Sequence, residues 1–376
     1  MGILTRRAFV QAASAATFAT AASGTFAAPA RQRVLIGTNT ADGIQAFDWN
    51  PATGELAAAG LAAKLSNVDW LTFSPDHKFM YAASEVDSFN GKPTGAVASY
   101  AYAEGKLTQI SAENSAAKGT CHVGLDHTGH VLLSADYGGG SAASFKITGG
   151  HLSPIVWTEH YTQHGPNADR QEAAHAHFAS FSPDNRFAYI NDLGGDCIHI
   201  YRLNSPMAQL RAAGVYSAKP GSGPRTLHFH PNGKTAYCMN ELNSTVDVLT
   251  WNQATGGFSL VHTISLSPDR SKPTSTGCDT VITRDGKFVY FANRGDDFIA
   301  SYKADPATGA LTAIGKTPSG GKTPRNFTLD PTEKWMLVAN QNSSNVSVFT
   351  RNPETGALAN QGKSYPCPSP MCILFA

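Results

Sequence analysis

Charged residues are scarce. Asp, Glu, Lys and Arg make up 15% of 376 residues and balance to a formal net charge of +1. That excludes the basic footprint of a nucleic-acid or anionic-surface binder, so no nucleic acid is expected as a partner. Long apolar runs are also missing, and no stable membrane insertion is expected. The six cysteines, Cys121, Cys197, Cys238, Cys278, Cys367 and Cys372, form no Cys-x-x-Cys zinc pattern. Cys197 and Cys238 lie inside strand-like runs and read as small buried thiols; at most one disulfide is expected and none is assigned. No Gly-x-Ser-x-Gly stands in a strand–turn–helix setting, and the acidic spacing gives no calcium loop. What is plentiful is glycine, with 35 residues, and proline, with 21. That suits many short strands joined by tight turns rather than long solvent-exposed helices.

Residues 1–30 read as an export signal rather than as fold. Thr5-Arg6-Arg7-Ala8-Phe9-Val10 is a twin-arginine pattern, an Ala-rich run extends from Ala12 to Ala22, and small residues allow cleavage after Ala27 or Ala30. The expected consequences are the twin-arginine translocase as a transient partner, a periplasmic or secreted location, and a folded unit over residues 31–376.

Internal repetition sets the architecture. A turn followed by an apolar strand recurs as Ser74-Pro75-Asp76…Tyr81, Asp126-His127-Thr128…Leu133, Ser182-Pro183-Asp184…Tyr189, His230-Pro231-Asn232…Tyr237, Arg284-Asp285-Gly286…Tyr290 and Asp330-Pro331-Thr332…Leu337. The copies fall at roughly fifty-residue intervals, which suits four strands per unit. A second turn recurs as Asn50-Pro51-Ala52-Thr53-Gly54, Asn252-Gln253-Ala254-Thr255-Gly256, Asp305-Pro306-Ala307-Thr308-Gly309 and Asn352-Pro353-Glu354-Thr355-Gly356. Glycine there supplies the positive φ the turn needs. A seventh unit is half present at Val34-Leu35. The spare C-terminal run Met371–Phe375 is expected to complete it, because an unpaired edge invites association. The prediction is an all-β, seven-bladed β-propeller with four antiparallel strands per blade, closed by the C-terminal strand in the first blade.

Equal register on equivalent strands gives equal height around a central channel. At the entry of strand one this rung reads Asp69, Cys121, His177, Arg225, Cys278 and Arg325. At the end of strand two it reads Thr38, Ser84, Asp136, Asp192, Asn240, Asn293 and Asn340, small polar residues of the kind that fix loop backbone. The next position diverges: Asn39, Glu85, Tyr137, Leu193, Glu241, Arg294 and Gln341. The candidate site is therefore His177, Arg225, Glu241, Arg294 and Arg325, with Glu85, Asn240 and Gln341 nearby. Several guanidiniums at one mouth suit a carboxylate, a phosphate or a developing oxyanion. The blander reading of each is a salt bridge within the ring, such as Arg225 with Glu241. The long link 157–174 enters the same face carrying His160, His164 and Arg170. His175-x-His177 would place two imidazoles on one strand face as a ligand pair, but no third ligand at zinc spacing follows. No metal and no cofactor are expected.

Beyond these patterns the sequence resembles the lactonase family of seven-bladed propellers, to which 6-phosphogluconolactonases belong and to which a fungal muconate cyclase is related. The resemblance is carried by His164-Gly165-Pro166-Asn167…Arg170-Gln171…His175-Ala176-His177, Ser222-Gly223-Pro224-Arg225, Asn240-Glu241-Leu242-Asn243, Asn293-Arg294-Gly295-Asp296 and Lys322-Thr323-Pro324-Arg325…Asn340-Gln341. It implies hydrolysis of a lactone, with His177, Arg225, Glu241 and Arg294 catalytic. His164, Arg170, Glu85, Asn240, Lys322, Arg325 and Gln341 are expected around the substrate, a small lactone or sugar acid. The third unit departs from the family in Ala135-Asp136-Tyr137, where Asn usually precedes Tyr. Two other readings stand beside hydrolysis: a muconate-lactonising cyclase, and a non-catalytic propeller that binds a small anion.

Overall fold

The computed structural model describes residues 32–267 and 275–376. The export signal expected at residues 1–30 lies outside them. Seven four-stranded antiparallel sheets follow one another around the ring. The last strand, Pro370–Phe375, lies innermost in the first sheet and pairs with Gln32–Thr38, with Val34 opposite Phe375 and Ile36 opposite Ile373. The expected closure is present, and the first and last described strands are held by one ladder.

The two recurring turns are parts of one joint. Tyr189 from the first repeated motif donates its hydroxyl to the carbonyl of Gly256 in the next blade at 3.0 Å. Tyr237 does the same to Gly309 at 2.7 Å, and Tyr290 to Gly356 at 2.8 Å. Gly256 has φ +77°, and a Cβ there would come within 2.4 Å of the Phe187 ring. The turn therefore needs glycine both for its backbone and for the close approach of the neighbouring blade. At the closing joint Leu337 stands in the tyrosine's position, and Trp335, two residues earlier, donates its indole N–H to the carbonyl of Pro51 at 2.9 Å.

Apolar packing follows the same plan. Tyr237, Met239, Val246 and Val248 of the fifth blade pack with Val289, Phe291, Ala300 and Tyr302 of the sixth. Val34, Ile36, Phe47 and Trp49 of the first pack with Leu337, Ala339, Val346 and Val348 of the seventh. Burial between blades, not within them, thus makes the ring a single cooperative unit.

One irregularity repeats in every blade. The innermost strand carries an extra residue where it enters the ring: Met371, Asp69, Cys121, His177, Arg225, Cys278 (with Asp279) and Arg325 stand at the register shifts of the seven sheets. A bulge turns its extra side chain away from the regular pleat. All seven of these side chains line a void of about 20 Å³ on the channel axis. The six-membered rung read from the sequence is this bulge rung, and Met371 is its seventh member.

Candidate active site at one mouth of the channel

Glu241 follows directly after the second strand of the fifth blade, and its carboxylate is almost wholly buried. Arg225 of the same blade donates from Nη1 to Oε2 at 2.8 Å. Arg294 of the sixth blade reaches the same oxygen at 2.8 Å. Arg170, from the loop before the fourth blade, donates from Nη2 to Oε1 at 2.6 Å. Three guanidiniums therefore share one carboxylate, and the cluster carries a surplus of positive charge.

His177 completes the cluster. Its Nε2 receives Arg225 Nη1 and lies 4.0 Å from Glu241 Oε2. Its Nδ1 faces the Cys121 thiol at 3.9 Å. Burial, reinforced by Arg225, holds the imidazole well below its usual pKa despite Glu241, so His177 is neutral at physiological pH. Burial opposes ionisation of Glu241 too. Arg294, Arg225, His177 and Arg170 outweigh it and hold the carboxyl well below the usual range. Glu85 behaves in the opposite way: burial and the neighbouring Asp69 push it up to about 7, although Arg325 and Arg225 pull it down.

The loop that delivers Arg170 is built around Gln171. This buried amide donates to the Leu193 carbonyl at 2.9 Å and accepts from the Asn167 N–H at 3.2 Å. A side chain at position 165 would collide with it at 2.4 Å, which explains the glycine there. Tyr137 adds a second partner for Arg170, accepting at its hydroxyl over 3.0 Å. Tyr137 stacks on His175 with centroids 4.4 Å apart.

A model of the family described as "Lactonase, 7-bladed beta-propeller" matches residues 33–375. The chain belongs to this family. It is 33% identical over 347 residues to a 6-phosphogluconolactonase of Bacillus subtilis, covering 90% of this chain and 97% of the relative. It is 32% identical over 324 residues to a 6-phosphogluconolactonase of Formosa agariphila, with 84% and 90% covered. Among solved structures, the periplasmic gluconolactonase of Pseudomonas aeruginosa superposes with a TM-score of 0.87 at 31% identity, covering 92% of this chain and 99% of the other.

Within this lactonase propeller, His177, Arg225, Glu241, Arg294 and Arg170 meet in one cluster. Arg325 does not join it. Its guanidinium is spent on Asp69, with Nη2 at 3.2 Å and 3.3 Å from the two carboxylate oxygens, which sets it in the bulge rung beside Glu85. The Asn240 side chain is fully buried and donates to Thr245 Oγ1 at 3.1 Å, a bond that fixes the turn. His164 and Lys322 are exposed on loops, and among the described residues neither side chain bonds to the Glu241 cluster. Gln341 is half-buried and bonds through its backbone N–H to Thr323 at 2.9 Å. The His175–His177 ligand pair does not form. His175 precedes the strand and directs Nδ1 to the Tyr137 carbonyl at 2.9 Å and Nε2 to Glu172 at 3.3 Å, while the bulge turns His177 toward Arg225. Tyr137 and Asp69 stood in the rungs read from the sequence, but their partnership with Arg170 and Arg325 left no sequence signal.

Below the rung, one residue further along the inner strands, Trp70, His122 and Phe178 close the channel, with ring centroids 3.9–6.1 Å apart. Beyond this plug a larger cavity of about 480 Å³ opens at the far mouth, lined among others by His228, Asp279, Arg284 and Asn326. Its Asp279 is already bound by Asn326 at 2.7 Å. The three guanidiniums and the neutral imidazole converge at the other end, so size alone does not mark the site.

Proposed function

We propose that this protein hydrolyses a sugar-acid lactone to its hydroxy acid, outside the cytoplasm. The observation that carries the reading is the convergence of Arg170, Arg225 and Arg294 on Glu241 beside a neutral His177. Water adds to the lactone carbonyl, and negative charge grows on the carbonyl oxygen. A preorganised cation at that oxygen is worth about 3–4 kcal/mol of barrier. Arg225 fits the role because its Nη1 already touches His177. As it turns to the oxyanion it releases the Nε2 lone pair, which takes the proton from the attacking water. Glu241 is too firmly ionised to serve as the base and instead keeps the guanidiniums in place.

Collapse of the tetrahedral intermediate breaks the bond to the ring oxygen, which needs a proton. Glu85, near 7, is protonated in a large fraction of molecules at neutral pH and can donate it. The products are a free hydroxyl and a carboxylic acid that loses its proton to solvent, and the proton held by His177 returns to Glu85 through solvent. Arg294 and Arg170 hold the acid product or another anionic group of the substrate.

An unphosphorylated substrate is favoured by two supports: the twin-arginine pattern at residues 1–30, and the name of the Pseudomonas relative, a periplasmic gluconolactonase. Product analysis by NMR on a panel of γ- and δ-aldonolactones, their 6-phospho forms and muconates tests the reading. Ring opening of unphosphorylated aldonolactones is expected. Turnover of muconates alone, or binding of sugar acids without turnover of any lactone, would overturn it.

A further inference from the structure

We propose that Asp192, Cys197 and His199 form a tetrahedral site for a zinc-class divalent cation in the fourth blade, separate from the Glu241 cluster. Asp192 ends the second strand of this blade and Cys197 begins the third, so a tight turn brings them together. His199 follows Cys197 by two residues and lies on the same strand face. Its Nε2 stands 3.4 Å from Cys197 Sγ and 3.5 Å from Asp192 Oδ2, and all three donor atoms lie within 4.8 Å of one another. Donors held about 2.0–2.3 Å from a tetrahedral zinc ion are separated by roughly 3.3–3.7 Å, so little movement is needed to close on one.

A second observation points to a ligand. Asp192 is fully buried, yet only one of its oxygens is satisfied. Oδ1 accepts the N–H groups of His175 at 2.8 Å and Gly195 at 3.0 Å, whereas Oδ2 accepts no hydrogen bond and faces the imidazole and thiol. A buried unsatisfied carboxylate oxygen is costly, and a cation there would remove the cost. Gly195 keeps the oxygen clear, since a Cβ at that position would come within 2.5 Å of it. The imidazole is already aimed: Tyr161 stacks on it with centroids 4.0 Å apart, and the Tyr161 hydroxyl is tied to Tyr201 at 2.9 Å.

The donor set selects the ion. One thiolate, one imidazole and one carboxylate suit Zn2+ and its tetrahedral substitute Co2+; Mg2+ and Ca2+ prefer oxygen alone. Binding would displace the Cys197 proton to solvent and leave a neutral assembly of thiolate, carboxylate and dication, which is tolerable in a buried place. A surface cavity of about 260 Å³ reaches His199 and Gln163 and offers water, the fourth ligand, a way in. A filled site would also brace the loop carrying Arg170. Asp192 holds His175 through its other oxygen, and Leu193 holds Gln171.

The test uses the mature protein, stripped with a chelator and titrated with Co2+. About one tetrahedral cobalt per chain is expected, with a thiolate-to-cobalt charge-transfer band that Zn2+ abolishes and Mg2+ does not. Cys197→Ser should remove the band, and His199→Gln should weaken binding at least about tenfold. Zinc should raise the melting temperature of the native chain and leave that of Cys197→Ser unchanged. Absence of the band in the native protein, or its persistence in Cys197→Ser, would overturn the proposal. The native spectrum decides the matter even if a variant fails to fold.

Discussion

Arg170 donates from Nη2 to Glu241 Oε1 at 2.6 Å, joining a side chain that is 40% exposed to a carboxylate that is 2% exposed. A loop outside the repeat thereby reaches the buried centre of the ring. Because Arg170 is partly solvated, its pairing contributes no more than about 1 kcal/mol to stability. Its value lies in positioning. Arg170→Ala should fold normally and lower kcat/KM for a lactone by about 100-fold. Unfolding curves and steady-state kinetics on one preparation check both halves; an undisturbed kcat/KM would remove Arg170 from the site.

Glu241 behaves differently because it is buried and shared. Glu241→Gln leaves three guanidiniums without their counter-charge and should cost about 3–5 kcal/mol. The native carboxyl is held below the ordinary value of 4.5 by its guanidinium partners, so its contribution is fully present above 4.5 and is lost as pH falls below it toward the depressed folded value. Urea unfolding of both proteins across acid pH should show a steep loss for the native chain and a flatter one for the variant.

Glu85 gives a signature on the alkaline side. The scheme needs it protonated, so turnover should decline as pH rises through about 7, and Glu85→Gln should lack that inflection at a much lower rate. Its raised pKa also means that the native state binds the proton more tightly than the unfolded chain. The associated stability is present below about 4.5 and is lost as pH rises toward 7. A pH–rate profile with no inflection near neutrality would remove Glu85 as the acid.

Two structural predictions concern the ring itself. Removing residues 371–376 takes away the inner strand of the first blade and a bulge-rung member, and should abolish the cooperative thermal transition rather than shift it slightly. Tyr237→Phe deletes one hydroxyl latch between blades and should cost about 1 kcal/mol while leaving turnover intact. Calorimetry on the two variants separates closure from latch.

The repeats made the architecture legible. Each unit carries the same two turns, and the half unit at Val34 needed the strand at Met371. The rung of strand-one residues was legible for the same reason, although Met371 escaped it by lying at the opposite end of the chain. The bulge was not legible, since nothing in the local sequence shows where an extra residue enters a ladder. It is why His177 parts from His175 and meets Arg225. Pairings across blades, Arg325 with Asp69 and Arg170 with Tyr137, also left no trace, because they depend on how neighbouring sheets are rotated. Asp192 shows the limit of arguing by rung. It shares a position with Asn240 and Asn293, and only its unsatisfied oxygen beside Cys197 and His199 sets it apart.

Acid release from δ-gluconolactone, followed in a pH-stat with native protein and with Arg225→Ala, tests the central claim most directly. Enzyme-dependent release that falls by about 100-fold or more in the variant, with the propeller still folded, is the predicted result. Equal release by both proteins would contradict the assignment of the Glu241 cluster as the place where the ring is opened.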